Sequence, residues 1–259
     1  MNKENYIGIF DSGIGGVTVL KEILKILPNE NYIYYSDSKN NPYGDKSDIE
    51  IFNICDKIVK KLFFEYNCKA IVIACNTASA KAAKKLREKY PTKKIIAIEP
   101  AYKMVHDYAY EKPTLVMATK GTIESEKFHN LLKKYDNHQT YLLACKGLAD
   151  IIEDEDNEDN EKITSYLQNN ISKYKGKVEN VVLGCTHYPL IQEEISQVLG
   201  KVTFFNGAPN LAIHLKATLR NENKLNTSNE LGKIIFIDSS NSEYKKERFF
   251  KYLNKDITF

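Results

Sequence analysis

Along the chain, short apolar runs alternate with longer stretches whose apolar residues recur three and four positions apart. Runs at 6–10, 32–35, 70–74 and 95–98 predict strands, and the stretches 17–27, 49–66 and 79–90 between them predict helices. In the last of these Ala82, Ala83, Leu86 and Tyr90 share one face, while Lys81, Lys84, Lys85 and Lys89 cover the rest. The alternation resumes with strands at 114–118, 140–144, 178–183 and 202–205 and helices at 125–135, 161–174 and 189–199. A further helix (208–220), a polar loop, a strand (233–237) and a last helix (243–254) complete the pattern. Repeated strand–helix units predict an α/β fold with a doubly wound, mostly parallel sheet in each half. Pro100 and Gly207 are natural places to cross between halves. Residues 1–99 with 208–259 are therefore expected to form one discontinuous lobe, and 100–207 the other.

Two of the predicted strands end alike. Ile71-Val72-Ile73 runs into Ala74-Cys75-Asn76-Thr77, and Val181-Val182-Leu183 runs into Gly184-Cys185-Thr186-His187. Such an apolar run predicts a strand buried on both faces of a parallel sheet. Its last residues open on the carboxyl edge, where α/β proteins carry their chemistry. The expectation is one site with a cysteine on either side.

Composition narrows the function classes. A chain of 259 residues with 42% hydrophobic and 27% charged residues is ordinary for a soluble globular protein. The net charge of +3 is spread along the chain and gives no argument for nucleic acid. No segment approaches the roughly 18 apolar residues of a membrane span, and the apolar stretch before Asp11 is too short for a signal-peptide core. Only three of the 37 basic residues are arginine (Arg87, Arg220, Arg248), so an anion here is expected to meet backbone N–H, hydroxyl and amide donors. Five cysteines without a Cys-x-x-Cys pair argue against a disulfide framework or structural zinc and fit a reducing cytoplasm.

Several motifs carry chemistry, each beside a plainer reading. Asp11-Ser12-Gly13-Ile14-Gly15-Gly16 lies between the first strand and a helix, where exposed N–H groups suit a carboxylate or phosphate. A dinucleotide fingerprint would need glycine where Thr18 stands, and the Gly-Lys-Ser/Thr of a Walker loop is missing. The plain alternative is a tight turn without a ligand. Asn41-Pro42-Tyr43-Gly44 is either a turn or a loop offering the Tyr43 backbone and the Gly44 N–H to a ligand. Buried cysteine is ordinarily a small hydrophobe, and Cys55, Cys68 and Cys145 are read so. Cys75 and Cys185 differ because hydrogen-bonding residues follow each of them. A redox pair would need Cα atoms within about 7 Å. Zinc could find His187 and Asp11, but the regular metal spacing is absent. The acidic run 153–161 reads as a solvated loop or helix start.

Together these residues resemble the glutamate racemases of the aspartate/glutamate racemase superfamily. The resemblance rests on Gly8 to Gly16, on Asn41-Pro42-Tyr43-Gly44-Asp45-Lys46-Ser47, on Ala74 to Ser79, on Ala118-Thr119-Lys120-Gly121-Thr122-Ile123 and on Leu183 to Pro189. It implies two lobes related by pseudo-twofold symmetry with the active site in the cleft between them. It further implies no cofactor and no metal, and interconversion of L- and D-glutamate for peptidoglycan. By position Cys75 and Cys185 match the two acid/base thiols. Asp11, Ser12, Tyr43, Gly44, Asn76, Thr77, Thr186 and His187 match substrate-binding positions, and Asp11, Glu153 and His187 match polar residues that assist the thiols. Glutamate is the implied partner, and a homodimer is expected because family members often form one. Two segments depart from the family: Lys146-Gly147-Leu148 stands where a proline and an aromatic are usual, and Phe205-Asn206-Gly207 replaces Asp-Ser-Gly.

Racemisation must take hydrogen from one face of Cα and return hydrogen to the other. Two opposed groups, one thiolate and one thiol, do this without either moving across the carbanion, and a thiol near its reference pKa of about 8.5 can serve in both forms. By the resemblance Cys185 acts on the L-enantiomer and Cys75 on the D-enantiomer. The alternatives are a racemase for aspartate or another acidic amino acid and, from another class, a two-lobed amino-acid-binding protein, for which paired cysteines have no purpose. A nucleotide switch lacks the phosphate motifs.

Overall fold

The computed structural model describes residues 3–135, 138–153 and 161–254, so the acidic run, apart from Glu153 and Glu161 at its ends, lies outside the described residues. Among them are nine strands: β1 (Ile7–Asp11), β2 (Tyr32–Ser36), β3 (Ala70–Ile73), β4 (Ile95–Ala97), β5 (Thr114–Ala118), β6 (Thr140–Ala144), β7 (Asn180–Gly184), β8 (Thr203–Phe205) and β9 (Ile234–Asp238). They form two parallel sheets, ordered β4-β3-β1-β2-β9 and β6-β5-β7-β8. Parallel neighbours need a crossover, and helices supply it.

The burial pattern explains why these runs are strands. In β3 the residues alternate between two cores. Ala70 and Val72 pack beneath helices Val17–Ile26 and Ala208–Asn221, while Ile71 and Ile73 pack beneath helix Asp48–Lys60. Both faces are dry, so the run is continuously apolar. In β7, Val181 and Leu183 belong to one core and Val182 to another. At the edge of the second sheet β6 leaves Tyr141 and Leu142 about two-fifths exposed.

Within each sheet the first strand in sequence is flanked by the second on one side and the third on the other, with the fourth beyond the third. β3 and β7 therefore hold equivalent positions, each beside the first strand of its sheet. This is the topological switch point of a doubly wound sheet, where neighbouring loops diverge and leave a crevice.

Several helical regions differ from the pattern read in the sequence. Helix Asn76–Lys81 begins directly after Cys75 rather than at 79, and a break at Ala82 (φ −120°) separates it from helix Ala83–Lys89. Helix Asp48–Lys60, opened by a Ser47–Glu50 capping box, gives way to a wider turn over Lys61–Glu65. Helices Tyr102–Ala109 and Leu148–Glu153 were not foreseen: the first buries only Tyr102 and Val105, and the second is six residues long. Among the described residues no helix is long and apolar enough to cross a membrane.

The end of the chain returns to the first sheet. β9 pairs with β2 from Tyr32↔Ile234 to Ser36↔Asp238, and Phe249 of helix Glu243–Asn254 packs on Tyr34 with ring centroids 4.6 Å apart. At the amino ends of the strands Lys69, just before β3, is buried with its ammonium between the Glu30 carboxylate and the carbonyls of Lys3 and Lys224. Glu30 also accepts the Asn226 N–H at 2.8 Å. One buried ion pair thus ties the start of the chain, β3 and the segment after helix Ala208–Asn221. Lys69→Ala leaves the Glu30 carboxylate unpaired and is expected to destabilise the protein by about 3–5 kcal/mol. Urea unfolding measures this, and a loss below about 1 kcal/mol contradicts it.

Candidate active site

Loops leaving the carboxyl ends of both sheets line one cleft. Ser12 comes from β1, the 41–45 loop follows β2, and Cys75, Asn76 and Thr77 follow β3. From the second sheet come Thr119 and Lys120 after β5, Cys145, Lys146 and Gly147 after β6, and Cys185, Thr186 and His187 after β7. The cysteines of the two equivalent strands therefore open on one space. The cleft holds about 50 Å³ for water, room for only a few molecules.

Nine of the eleven residues singled out in the sequence line this cleft: Ser12, Tyr43, Gly44, Cys75, Asn76, Thr77, Cys185, Thr186 and His187. Asp11 and Glu153 stand behind it. Asp11 is fully buried, and its carboxylate accepts the Gly13 N–H and the Thr186 hydroxyl, both at 3.0 Å. In this arrangement it orders the loops of both sheets. Tyr43 is buried, its hydroxyl donating to Asp37 at 2.5 Å, which fixes the 41–45 loop from behind.

The two thiols have different neighbours. Cys75 precedes helix Asn76–Lys81, and the Ala78 N–H points back to its sulfur. Ser12 Oγ lies 3.8 Å from Sγ. Burial, reinforced by the Asp11 carboxylate, pushes the Cys75 thiol up to about 12 despite those two donors. A thiol at its reference value, accessible in both forms, is therefore not what this site holds at Cys75; here the thiol is protonated. Cys185 instead has His187 Nδ1 3.6 Å from its sulfur.

His187 is buried and bonded on both ring nitrogens, its Nδ1 facing Cys185 and its Nε2 lying 2.7 Å from Glu153 Oε1. Burial alone would lower its pKa, but the contacts with Cys185 and Glu153 outweigh burial and hold the imidazole well above its ordinary value. Glu153 shows the reciprocal balance. Burial raises its pKa, but His187 and the Ile14 N–H at 2.5 Å bring it below the usual carboxylate range. The pair is an imidazolium and a carboxylate, and Nδ1–H is left to donate toward Cys185.

The glycine turn after β1 makes this approach sterically allowed. A Cβ on Gly13 would lie 1.9 Å from Glu153 Oε1, and one on Gly15 would lie 2.4 Å from His187 Nδ1. The turn thus serves packing across the cleft as well as N–H presentation.

Several lining residues carried no role in the sequence reading: Asn41, Asp45, Thr119, Lys120, Cys145, Lys146, Gly147, Ala149 and Asp150. Thr119 shares a hydrogen bond with Thr77 at 2.8 Å, and Asn41 donates to Asp150 at 3.3 Å. The signal for Thr119 was its position just beyond β5, the counterpart of Ser12 beyond β1. Cys145 is 2% exposed and sits at the cleft wall, with a thiol that burial also raises to about 12. Among the described residues no His, Cys, Asp and Glu cluster is arranged to hold a metal ion.

Residues 24–213 match the Asp/Glu/Hydantoin racemase family. The chain is 43% identical to a glutamate racemase of Clostridium acetobutylicum over 92% of its own length and 93% of the relative's. Its fold is similar to the crystal structure of glutamate racemase isoform RacE1 from Bacillus anthracis (TM-score 0.86, 30% identity, covering 97% of this chain and 95% of that one). It is also similar to glutamate racemase from Francisella tularensis in complex with D-glutamate (TM-score 0.81, 30% identity, covering 97% and 94%).

The His187 ion pair can be read directly. Nitrogen NMR of the imidazole is expected to keep the doubly protonated signature well above pH 6.5, the ordinary midpoint for histidine. Gly13→Ala, which displaces Glu153, is expected to bring the midpoint down. A wild-type midpoint at or below about 6.5 contradicts the pair.

Proposed function

The chain belongs to the Asp/Glu/Hydantoin racemase family, and from that membership we propose that it interconverts L- and D-glutamate with two cysteine thiols and no cofactor. The observation that carries this reading is that Cys75 and Cys185, at the ends of equivalent strands, line the same cleft. Relatives covering almost the whole chain carry the name of that activity. Lys120 and Lys146 in the cleft wall suit a substrate with two carboxylates.

In the proposed reaction Cys185, as thiolate, takes the Cα proton of L-glutamate, and the electron pair moves into the α-carboxylate. Cys75 gives its S–H proton to the opposite face, releasing D-glutamate. One proton leaves Cα and one arrives, so the two sulfurs end with their protonation states exchanged, ready for the D-enantiomer. The environments support this order: burial holds the Cys75 thiol protonated, and an imidazolium N–H faces Cys185. Without an electron sink, hydroxyl and amide donors such as Ser12, Asn76, Thr77 and Thr186 must stabilise the developing charge, each tenfold in rate requiring about 1.4 kcal/mol. The Thr77–Thr119 and Asn41–Asp150 contacts join the loops of the two sheets at the cleft that would receive glutamate. The reading takes residues 1–99 with 208–259 as one lobe and 100–207 as the other.

We place the enzyme in the cytoplasm as a source of D-glutamate for peptidoglycan, in keeping with five free cysteines. A homodimer belongs to the same reading.

Cys75→Ala and Cys185→Ala are each expected to lower kcat by roughly 10²–10⁴-fold without loss of fold. Chiral chromatography of glutamate incubated with each variant measures this, and near-normal turnover by either one refutes the two-thiol reading. In deuterated water the product enantiomer is expected to carry solvent deuterium at Cα. Unlabelled product contradicts proton exchange through opposed acids and bases.

A further inference from the structure

We infer that Arg248 is a positioning residue for the Cys185 half of the reaction, its guanidinium clamping the end of helix Leu148–Glu153 and so fixing where the Glu153 carboxylate meets His187. The inference rests on the racemase reading of the cleft.

Arg248 lies on helix Glu243–Asn254, which belongs to the first sheet's core. Its neighbour Phe249 is fully buried between Tyr34 and Phe236, at ring distances of 4.6 and 4.5 Å, and Leu253 is buried one turn on. The root of the arginine is therefore fixed. Its head crosses to the second sheet, where Nη2 donates to the Ile152 carbonyl at 2.6 Å and Nη1 to the Glu153 carbonyl at 3.0 Å. The Tyr252 hydroxyl accepts from Nη2 at 3.2 Å, and the guanidinium lies 5.6 Å from that ring's centroid.

A helix end leaves carbonyls without intrahelical partners, and a cation there is also favoured by the backbone dipoles. Two donors held in one plane fix orientation as well as distance, which an ammonium does not. The clamp acts on the residue that matters: Glu153, whose carbonyl Arg248 holds, turns its carboxylate to His187 Nε2 and the Ile14 N–H. Among the described residues, these two bonds tie the last residues of that helix to helix Glu243–Asn254. Among the described residues, the charged or titratable groups facing His187 are Cys185 on its own loop, Asp11 at the end of β1, and Asp150 and Glu153 on the clamped helix. Glu153 is the one of these rooted at the clamp; Lys245 on the arginine's own helix faces the Glu153 carboxylate.

A double-mutant cycle tests the assignment with Arg248→Met, Glu153→Gln and the double variant, read as kcat and KM for both enantiomers. Arg248→Met is expected to lower kcat about tenfold with little change in KM. In the Glu153→Gln background it is expected to cost no more than about twofold, because the group it acts through is already gone. The same loss in both backgrounds, or no loss in either, overturns the assignment. Arg248→Lys, which keeps the charge and loses the fork, is expected to fall between wild type and Arg248→Met, and it serves should the methionine variant fail to fold. The His187 imidazole titration supplies a readout that needs no turnover. Arg248→Met is expected to shift its midpoint toward the ordinary histidine value, and an unmoved midpoint overturns the clamp. A wild-type protein that leaves glutamate unchanged would instead refute the racemase reading, whatever the titration shows.

Discussion

The bond between Glu153 and His187 sets the electrostatic character of the cleft. Two charges removed from water are tolerated only when their remaining hydrogen-bonding capacity is filled, and breaking such a pair is far more damaging than never having it. Here the filling is shared between the halves of the molecule. The Ile14 N–H after β1 and the Cys185 sulfur after β7 complete the pair from opposite sheets. The groups that hold the pair in its charged form thus come from the loops of both sheets. The glycines at 13 and 15 are the steric condition for it.

That bond also makes a symmetric framework chemically asymmetric. β3 and β7 occupy the same place in their sheets and end in the same kind of sequence, yet Cys75 faces a buried carboxylate and a serine where Cys185 faces an imidazolium. A reaction between mirror-image molecules has an equilibrium constant of one and demands no symmetry of the catalyst. What it demands is that one sulfur be ready to accept a proton while the other is ready to give one. The differing surroundings suit that division, the protonated Cys75 standing on the donor side of the proposed reaction.

Much of this was legible in the sequence, because doubly buried strands need continuous apolar runs. The ends of β3 and β7 and their cysteines follow from that rule alone, as does the parallel α/β framework. Asn76-Thr77, by contrast, opens a helix whose first residues are polar because they face the cleft, so periodicity finds the helix three residues late. Leu148–Glu153 is too short to show a period, and it follows Gly147 at a positive φ of 76°. Tyr102–Ala109 carries tyrosine and histidine, poor helix formers, and buries one narrow stripe. Contacts across the cleft, such as Thr77 to Thr119, join residues far apart in the chain, and no local pattern announces them. The Asp11 carboxylate, open to several roles from sequence, is turned by burial into a scaffold for the two loops it joins.

A structure of the protein with D-glutamate bound puts the account to its plainest test. It predicts the two sulfurs on opposite faces of the substrate Cα, each within about 3–3.5 Å of the hydrogen it removes or replaces. Both sulfurs on one face, or either one shut away from Cα by protein, would contradict it.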